Sequence, residues 1–138
     1  MASSGRGGGQ AIGAVVFDAS AVLAYAKREV GTDRVRSLLD GALISAVNFA
    51  EVAGKLALEG HDARRICTRL IGFGLAVEPF TVEDARAIGE LAPASRRLGL
   101  SLADCACLAL GGRTGRVVLT TDRAMAQSDL GVQVELIR

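Results

Sequence analysis

An apolar run that stops on a carboxylate constrains this chain more than any other feature. Ala14-Val15-Val16-Phe17 is followed at once by Asp18 and then by the small residues Ala19 and Ser20. Helix-like spacing of Val22, Leu23 and Ala26 comes next. A short apolar run with a helix signal at its end reads as a strand buried on both faces. Asp18 then falls at the carboxyl end of a central parallel strand, where open α/β sheets place their ligand sites. Burying a carboxylate there is costly unless it has a partner, so Asp18 needs a partner or a task.

The rest of the chain alternates in the same way. A second helix is expected after the break at Gly31, capped by Thr32-Asp33 and carrying Val35, Leu38 and Leu39 on one face. Leu43-Ile44 makes a brief strand. Ser45 caps a helix to about Leu58 that holds Val47, Val52, Leu56 and, in its second turn, Glu51. Asp62 caps another, with Ile66, Leu70 and Ile71 inward. Ala76–Phe80 is strand-like, and Thr81-Val82-Glu83-Asp84 has the form of a capping box for a helix carrying Ala85, Ile88 and Leu91. Pro93 is expected to break or kink that helix. Ser101 opens an almost wholly apolar helix to about Leu110, which should be buried, and Gly111-Gly112 and Gly115 make the turn after it. Val117–Thr120 is a strand ending on Thr121-Asp122, a short helix starts at Arg123, and a last strand lies near Val132–Ile137. Strands alternating with helices argue an α/β fold with a mainly parallel sheet, in one domain.

Composition removes several classes of function. Half of the 138 residues are hydrophobic and 22% are charged, which suits a globular chain with a real core. No apolar stretch approaches the roughly 20 residues of a membrane helix. Residues 1–13 are rich in Gly and Ser and lack a signal peptide's apolar core, so they read as a flexible leader outside the fold. Cys67, Cys105 and Cys107 have no metal-ligand spacing and read as buried free thiols of a cytoplasmic protein. The single histidine, His61, has nothing near it to make a catalytic pair. Net charge is +1, so no basic field announces nucleic acid, although all but Lys27 and Lys55 of the sixteen basic residues are arginine, a planar donor suited to phosphate.

Four acids remain: Asp18, Glu51, Asp104 and Asp122. Taken singly, Asp122 could be a helix N-cap, Asp104 the partner of Ser101 in a capping box, and Glu51 a solvent-facing residue. Taken together, they suggest a cluster. Two carboxylates at 4 Å repel by about 4 kcal/mol at an effective dielectric near 20. A fold keeps such a cluster with a cation, shared protons or a nearby arginine. Oxygen-only ligands suit Mg²⁺ or Mn²⁺, which activate water and neutralise charge on a phosphoryl group.

Four segments carry a resemblance. Val15-Val16-Phe17-Asp18-Ala19-Ser20 is similar to the opening strand of the PIN-domain ribonucleases, and among them of the VapC toxins of bacterial type II toxin–antitoxin pairs. Ile44-Ser45-Ala46-Val47-Asn48-Phe49-Ala50-Glu51-Val52 resembles the segment with that family's second acid. Gly99-Leu100-Ser101-Leu102-Ala103-Asp104 resembles the third, and Leu119-Thr120-Thr121-Asp122-Arg123 the fourth. Order and spacing agree across residues 14–138, which would then be one PIN domain. The resemblance implies a PIN-like fold with about five mainly parallel strands and helices on both faces. It implies an endoribonuclease that uses Mg²⁺ or Mn²⁺ to hydrolyse RNA and leaves a 5′-phosphate. It implies a cognate antitoxin whose tail occupies the active-site groove, and a homodimer. Asp18, Glu51, Asp104 and Asp122 become the catalytic and metal-binding acids. Ser20 and Thr120, with Asn48 as a weaker candidate, would support them. Arg96, Arg97, Arg113, Arg116 and Arg123 are candidate RNA contacts, although loop arginines are commonly just solvated.

Two rivals stand beside this reading. Val-Val-Phe-Asp also suits the nucleophile of a haloacid-dehalogenase-like phosphatase, but that family's second acid, two residues on, is here Ser20. A non-catalytic PIN-like module that binds RNA or protein would not need the full acidic set.

Overall fold

The computed structural model describes residues 15–138; the leader expected at 1–13 lies outside the described residues. Among the described residues, five parallel strands form one sheet in the order β3-β2-β1-β4-β5. They are β1 (Val15–Phe17), β2 (Leu43–Ser45), β3 (Ala76–Glu78), β4 (Val117–Thr120) and β5 (Val134–Leu136). Helices α1 (Ala19–Ala26) and α2 (Asp33–Leu38) join β1 to β2, and α3 (Ala46–Leu58) and α4 (Ala63–Gly72) join β2 to β3. Helices α5 (Val82–Arg97) and α6 (Leu102–Thr114) carry the chain back to β4, and α7 (Arg123–Ala126) leads to β5.

β1 is central because all three of its side chains are apolar and buried. Alternation along the strand sends them to opposite faces. Val15 and Phe17 pack with Ile44, Leu119, Val22, Val52 and Leu56 in one core. Val16 packs with Val118, Leu108, Leu110 and Met125 in the other. Helices therefore cover both faces, and each fully buried large side chain contributes about 1.5–3 kcal/mol.

The order reverses at β1. From there the chain builds outward through β2 and β3, then returns to place β4 on the other side of β1. The register pairs Val15 with Val117, Val16 with Val118 and Phe17 with Leu119. Asp18 and Thr120, the next pair, thus meet at the carboxyl ends of adjacent strands, at the point where the topology switches.

Several sequence expectations need correction. Pro93 does not end α5, which continues to Arg97. Gly89, four residues back, is exposed, so the carbonyl that loses its donor can be hydrated. The Gly111-Gly112 pair is not a turn but part of α6. A Cβ on Gly111 would sit 2.6 Å from Val118 Cγ2 and 3.0 Å from Val132 Cγ1, so glycine is what lets α6 lie this close to β4. The helix stops instead at Gly115, in the left-handed conformation with φ 68°. Ile71 and Ala85 turn outward rather than into the core. β3 and β5 are shorter than their apolar runs suggested.

Candidate functional site

Asp18 is 4% exposed and does two jobs. As N-cap of α1, its Oδ1 accepts from the Ala21 N–H at 2.9 Å. Oδ1 also accepts from the Ser20 hydroxyl at 2.7 Å, and Oδ2 accepts from the Thr120 hydroxyl. The direction of the two hydroxyl protons is fixed by what the oxygens accept. Ser20 Oγ takes the Thr121 N–H at 3.0 Å, and Thr120 Oγ1 takes the Asp122 N–H at 2.9 Å. Each hydroxyl then has its one proton left for Asp18, and their own 3.3 Å approach is contact without a proton to share. Three donors converge on Asp18, as a carboxylate requires, while burial pushes its pKa up against them and prevails.

The other acids arrive from helix starts. Asp104 sits in the first turn of α6 and forms a capping box with Ser101: the Ser101 N–H donates to Asp104 Oδ2 at 2.9 Å, and the Asp104 N–H to Ser101 Oγ at 3.1 Å. Asp122 is the N-cap of α7, accepting from the Ala124 N–H at 2.9 Å. Both plainer readings of these residues are therefore real contacts. Glu51, half-buried in α3, accepts from Asn48 Nδ2 at 3.2 Å.

Cys107 reports how these acids are gathered. It is fully buried one turn beyond Asp104, and burial drives its thiol far up. The carboxylates of Asp18, Asp104 and Glu51 add to that effect, so the charges of all three reach one buried sulfur atom. Asp104 also raises the pKa of Asp18 directly. Asp122 joins through the backbone, its N–H resting on the same Thr120 hydroxyl that holds Asp18. Cys107 is a site neighbour that sequence reasoning passed over. The signal was its spacing of three from Asp104, which puts both on one helix face.

The donor chemistry fits Mg²⁺ or Mn²⁺, since every acid offers oxygen. Glu51, Asp104 and Asp122 each keep a second carboxylate oxygen with no hydrogen-bond partner among the described residues. Their present rotamers point to caps and to Asn48, and among the described residues no three His, Cys, Asp or Glu side chains are disposed to hold an ion. An ion would need the spare oxygens to turn inward.

The arginines divide. Arg123 follows Asp122 directly, and Arg96 and Arg97 end α5 just before the turn into Ser101 and Asp104; all three are exposed. Arg113 and Arg116 do not join the acids. Arg113 lies nine residues beyond Asp104 on α6, roughly 14 Å at about 1.5 Å per residue. Its Nε and a terminal nitrogen donate to Asp84 at 2.9 and 3.3 Å. Arg116 precedes β4, at the opposite edge of the sheet from Asp18. A cleft of about 740 Å³ opens among Tyr25, Arg28, Arg36, Arg69 and Phe73, and none of the four acids lines it. Among the described residues no helix is long and apolar enough to cross a membrane.

Comparison with known proteins agrees with this fold. The family profile described as the PIN domain matches residues 15–129. No curated protein sequence matches the chain. Among solved structures, the chain is similar to VapBC2 from Rickettsia felis bound to a promoter DNA fragment, with TM-score 0.69 and 14% identity over 89% of this chain and 98% of that one. It is also similar to DNA-bound VapBC from Salmonella typhimurium, at 0.68 and 18% over 90% and 98%. A member of the VapBC family of toxin–antitoxin systems, VapBC-5 from Mycobacterium tuberculosis, gives 0.56 and 20% over 91% and 98%. At these identities the likeness is one of fold.

Proposed function

Since this chain belongs to the PIN domain family, we propose that it is a metal-dependent endoribonuclease and the toxin of a toxin–antitoxin pair. The observation that carries the reading is a pair of bridges at the topological switch point of the sheet: Thr120 Oγ1 joins Asp18 to the Asp122 N–H, and the Asn48 amide joins Glu51 to the Ala103 carbonyl beside Asp104. Three donors point at Asp18, and Ser20 and Thr120 fix its direction. Glu51, Asp104 and Asp122 would hold the ion with it. Bound Mg²⁺ or Mn²⁺ would neutralise phosphoryl charge and lower the pKa of water. The acids would orient that water toward the phosphorus, so that hydrolysis leaves a 5′-phosphate. Arg96, Arg97 and Arg123, exposed near this end, would meet the RNA backbone. A cognate antitoxin, a homodimeric state and a cytoplasmic setting belong to the same proposal. Resemblance to the VapBC structures supports the first of these.

Ser20 stands where a haloacid-dehalogenase-like phosphatase would need its second acid, and its only proton goes to Asp18. The PIN membership of the chain displaces that reading. A non-catalytic PIN-like module keeps one observation in its favour: the acids are turned to their caps rather than to a common point. Cleavage of a mixed cellular RNA pool, read by sequencing of 5′-phosphate ends, separates the two. The nuclease should cut in Mg²⁺ or Mn²⁺, stop in EDTA, and lose cleavage in a folded Asp18→Ala variant. A wild-type protein that binds RNA but produces no new 5′-phosphate ends would establish the binding module instead.

A further inference from the structure

Asn48 is 1% exposed, in the first turn of α3. Its Nδ2 donates to Glu51 Oε1 at 3.2 Å, one turn along the same helix, and to the carbonyl of Ala103 at 3.0 Å, in the first turn of α6. Both amide hydrogens are thus spent, one on each element. Its Oδ1 is buried with no hydrogen-bond partner among the described residues. Turning the amide over would set Oδ1 against two acceptors, so the surroundings fix its orientation. An unmet buried acceptor costs about 1–3 kcal/mol, which an apolar residue of the same size would avoid. The pair of donated bonds is what that cost retains. Ala103 is the residue before Asp104, so the bridge runs from the carboxylate of Glu51 to the peptide that carries the next acid. Without it, a flexible glutamate would be free to swing toward water, regaining up to about 2 kcal/mol of side-chain entropy.

We propose that Asn48 is a positioning residue of the acidic site, setting Glu51 against Asp104 by bridging α3 to the first turn of α6. The inference rests on the metal-dependent reading of that site. Its test measures Mn²⁺ affinity by electron paramagnetic resonance of the free ion, alongside melting in EDTA. Asn48→Leu should melt no lower than wild type in EDTA, because the unmet acceptor is gone. It should bind Mn²⁺ about 10–100-fold more weakly, the usual loss when the support of a metal ligand is removed. In a Glu51→Gln background the same change should alter Mn²⁺ affinity by no more than about twofold, since coupling through Glu51 makes the two losses non-additive. If Asn48→Leu fails to fold, Asn48→Ala carries the same comparison, because it also removes both donors and adds no charge. Unchanged Mn²⁺ affinity overturns the positioning role while EDTA-sensitive cleavage by wild type leaves the nuclease reading standing. An equal loss in both backgrounds also overturns it and marks Asn48 as general scaffolding. A wild-type protein that takes up no Mn²⁺ overturns the metal-dependent reading and this inference with it.

Discussion

Burial raises the pKa of Asp18, and the bonds from Thr120, Ser20 and Ala21 only partly offset it. A carboxyl group whose folded pKa exceeds its unfolded one stabilises the fold most below the unfolded pKa. That contribution is lost as pH rises through the folded value. Ionised Asp18 is therefore a burden at neutral pH when no cation is bound. Asn at this position keeps the shape and removes the charge. One of its amide hydrogens is accommodated if Thr120 turns its hydroxyl toward Ser20 Oγ, 3.3 Å away. In EDTA at neutral pH, Asp18→Asn should be more stable than wild type by about 0.5–2 kcal/mol, the scale of relief at sites kept for function. The advantage should close at low pH, and cleavage should be lost throughout. Urea melts of both proteins across pH check this, and a destabilised Asp18→Asn at neutral pH would make Asp18 chiefly a helix cap. Asp18, Ser20 and Thr120 are legible in the sequence because each stands at or just beyond an apolar run, where strand ends meet ligands. The reach of Asn48 to Ala103 is not, since it spans 55 residues and depends on where two helices come to lie.

Helices α5 and α6 are held together by a contact that the capping-box pattern half reveals. Thr81 and Asp84 do form the box, with Asp84 Oδ2 accepting from the Thr81 N–H at 3.1 Å. The same carboxylate, 3% exposed, also receives the guanidinium of Arg113 from the far end of α6. Burial by itself would raise the pKa of Asp84; the Arg113 pair and the Thr81 N–H outweigh it and hold the group below the ordinary range. Stability from a lowered carboxyl is present above the unfolded pKa and lost as pH falls through the folded one. Asp84→Asn should therefore cost about 1–3 kcal/mol at neutral pH, as for a hydrogen bond to a charged group. The deficit should shrink in strong acid, as denaturation at the two pH values will show. It should leave RNA cleavage per folded molecule unchanged. Gly111→Ala tests the other close approach: with Val118 and Val132 in the way, overpacking should cost about 1–3 kcal/mol in the same experiment. Sequence marks each of these helices by its cap and its apolar face. It cannot tell a glycine that ends a helix from one that lets a helix touch a sheet, because both are simply missing side chains. Pro93 misleads for a related reason: whether it breaks a helix depends on whether the carbonyl it orphans can reach water.

At the scale of the molecule, the parallel sheet gives the chain two unlike edges. Every strand enters at one edge and leaves at the other, so residues that follow strands share an edge however distant they are in sequence. The alternation of strands and helices is legible from periodicity, and with it the shared edge of Asp18 and Asp122. Strand order is not, because nothing local says that β4 returns to pair with β1 rather than extending from β3. The arginines show the consequence. Arg123 lies with the acids and Arg96 and Arg97 near them, whereas Arg116 precedes β4 at the opposite edge and Arg113 is engaged by Asp84. RNA held at the acids should therefore contact the first three and not the last two. On single-stranded RNA, log affinity falls with log salt by about 0.7 per phosphate neutralised. Arg123→Ala, and the pair Arg96→Ala and Arg97→Ala, should each weaken binding and lower the slope by about 0.7 for every contact removed. Arg116→Ala should leave both affinity and slope at wild-type values. Fluorescence anisotropy with a labelled RNA between about 50 and about 200 mM salt reads both quantities. Binding is best measured in the Asp18→Asn background, so that cleavage does not consume the probe. If Arg116→Ala lowers the slope and Arg123→Ala does not, the RNA lies across the amino edge of the sheet, and the acids are not where it is cut.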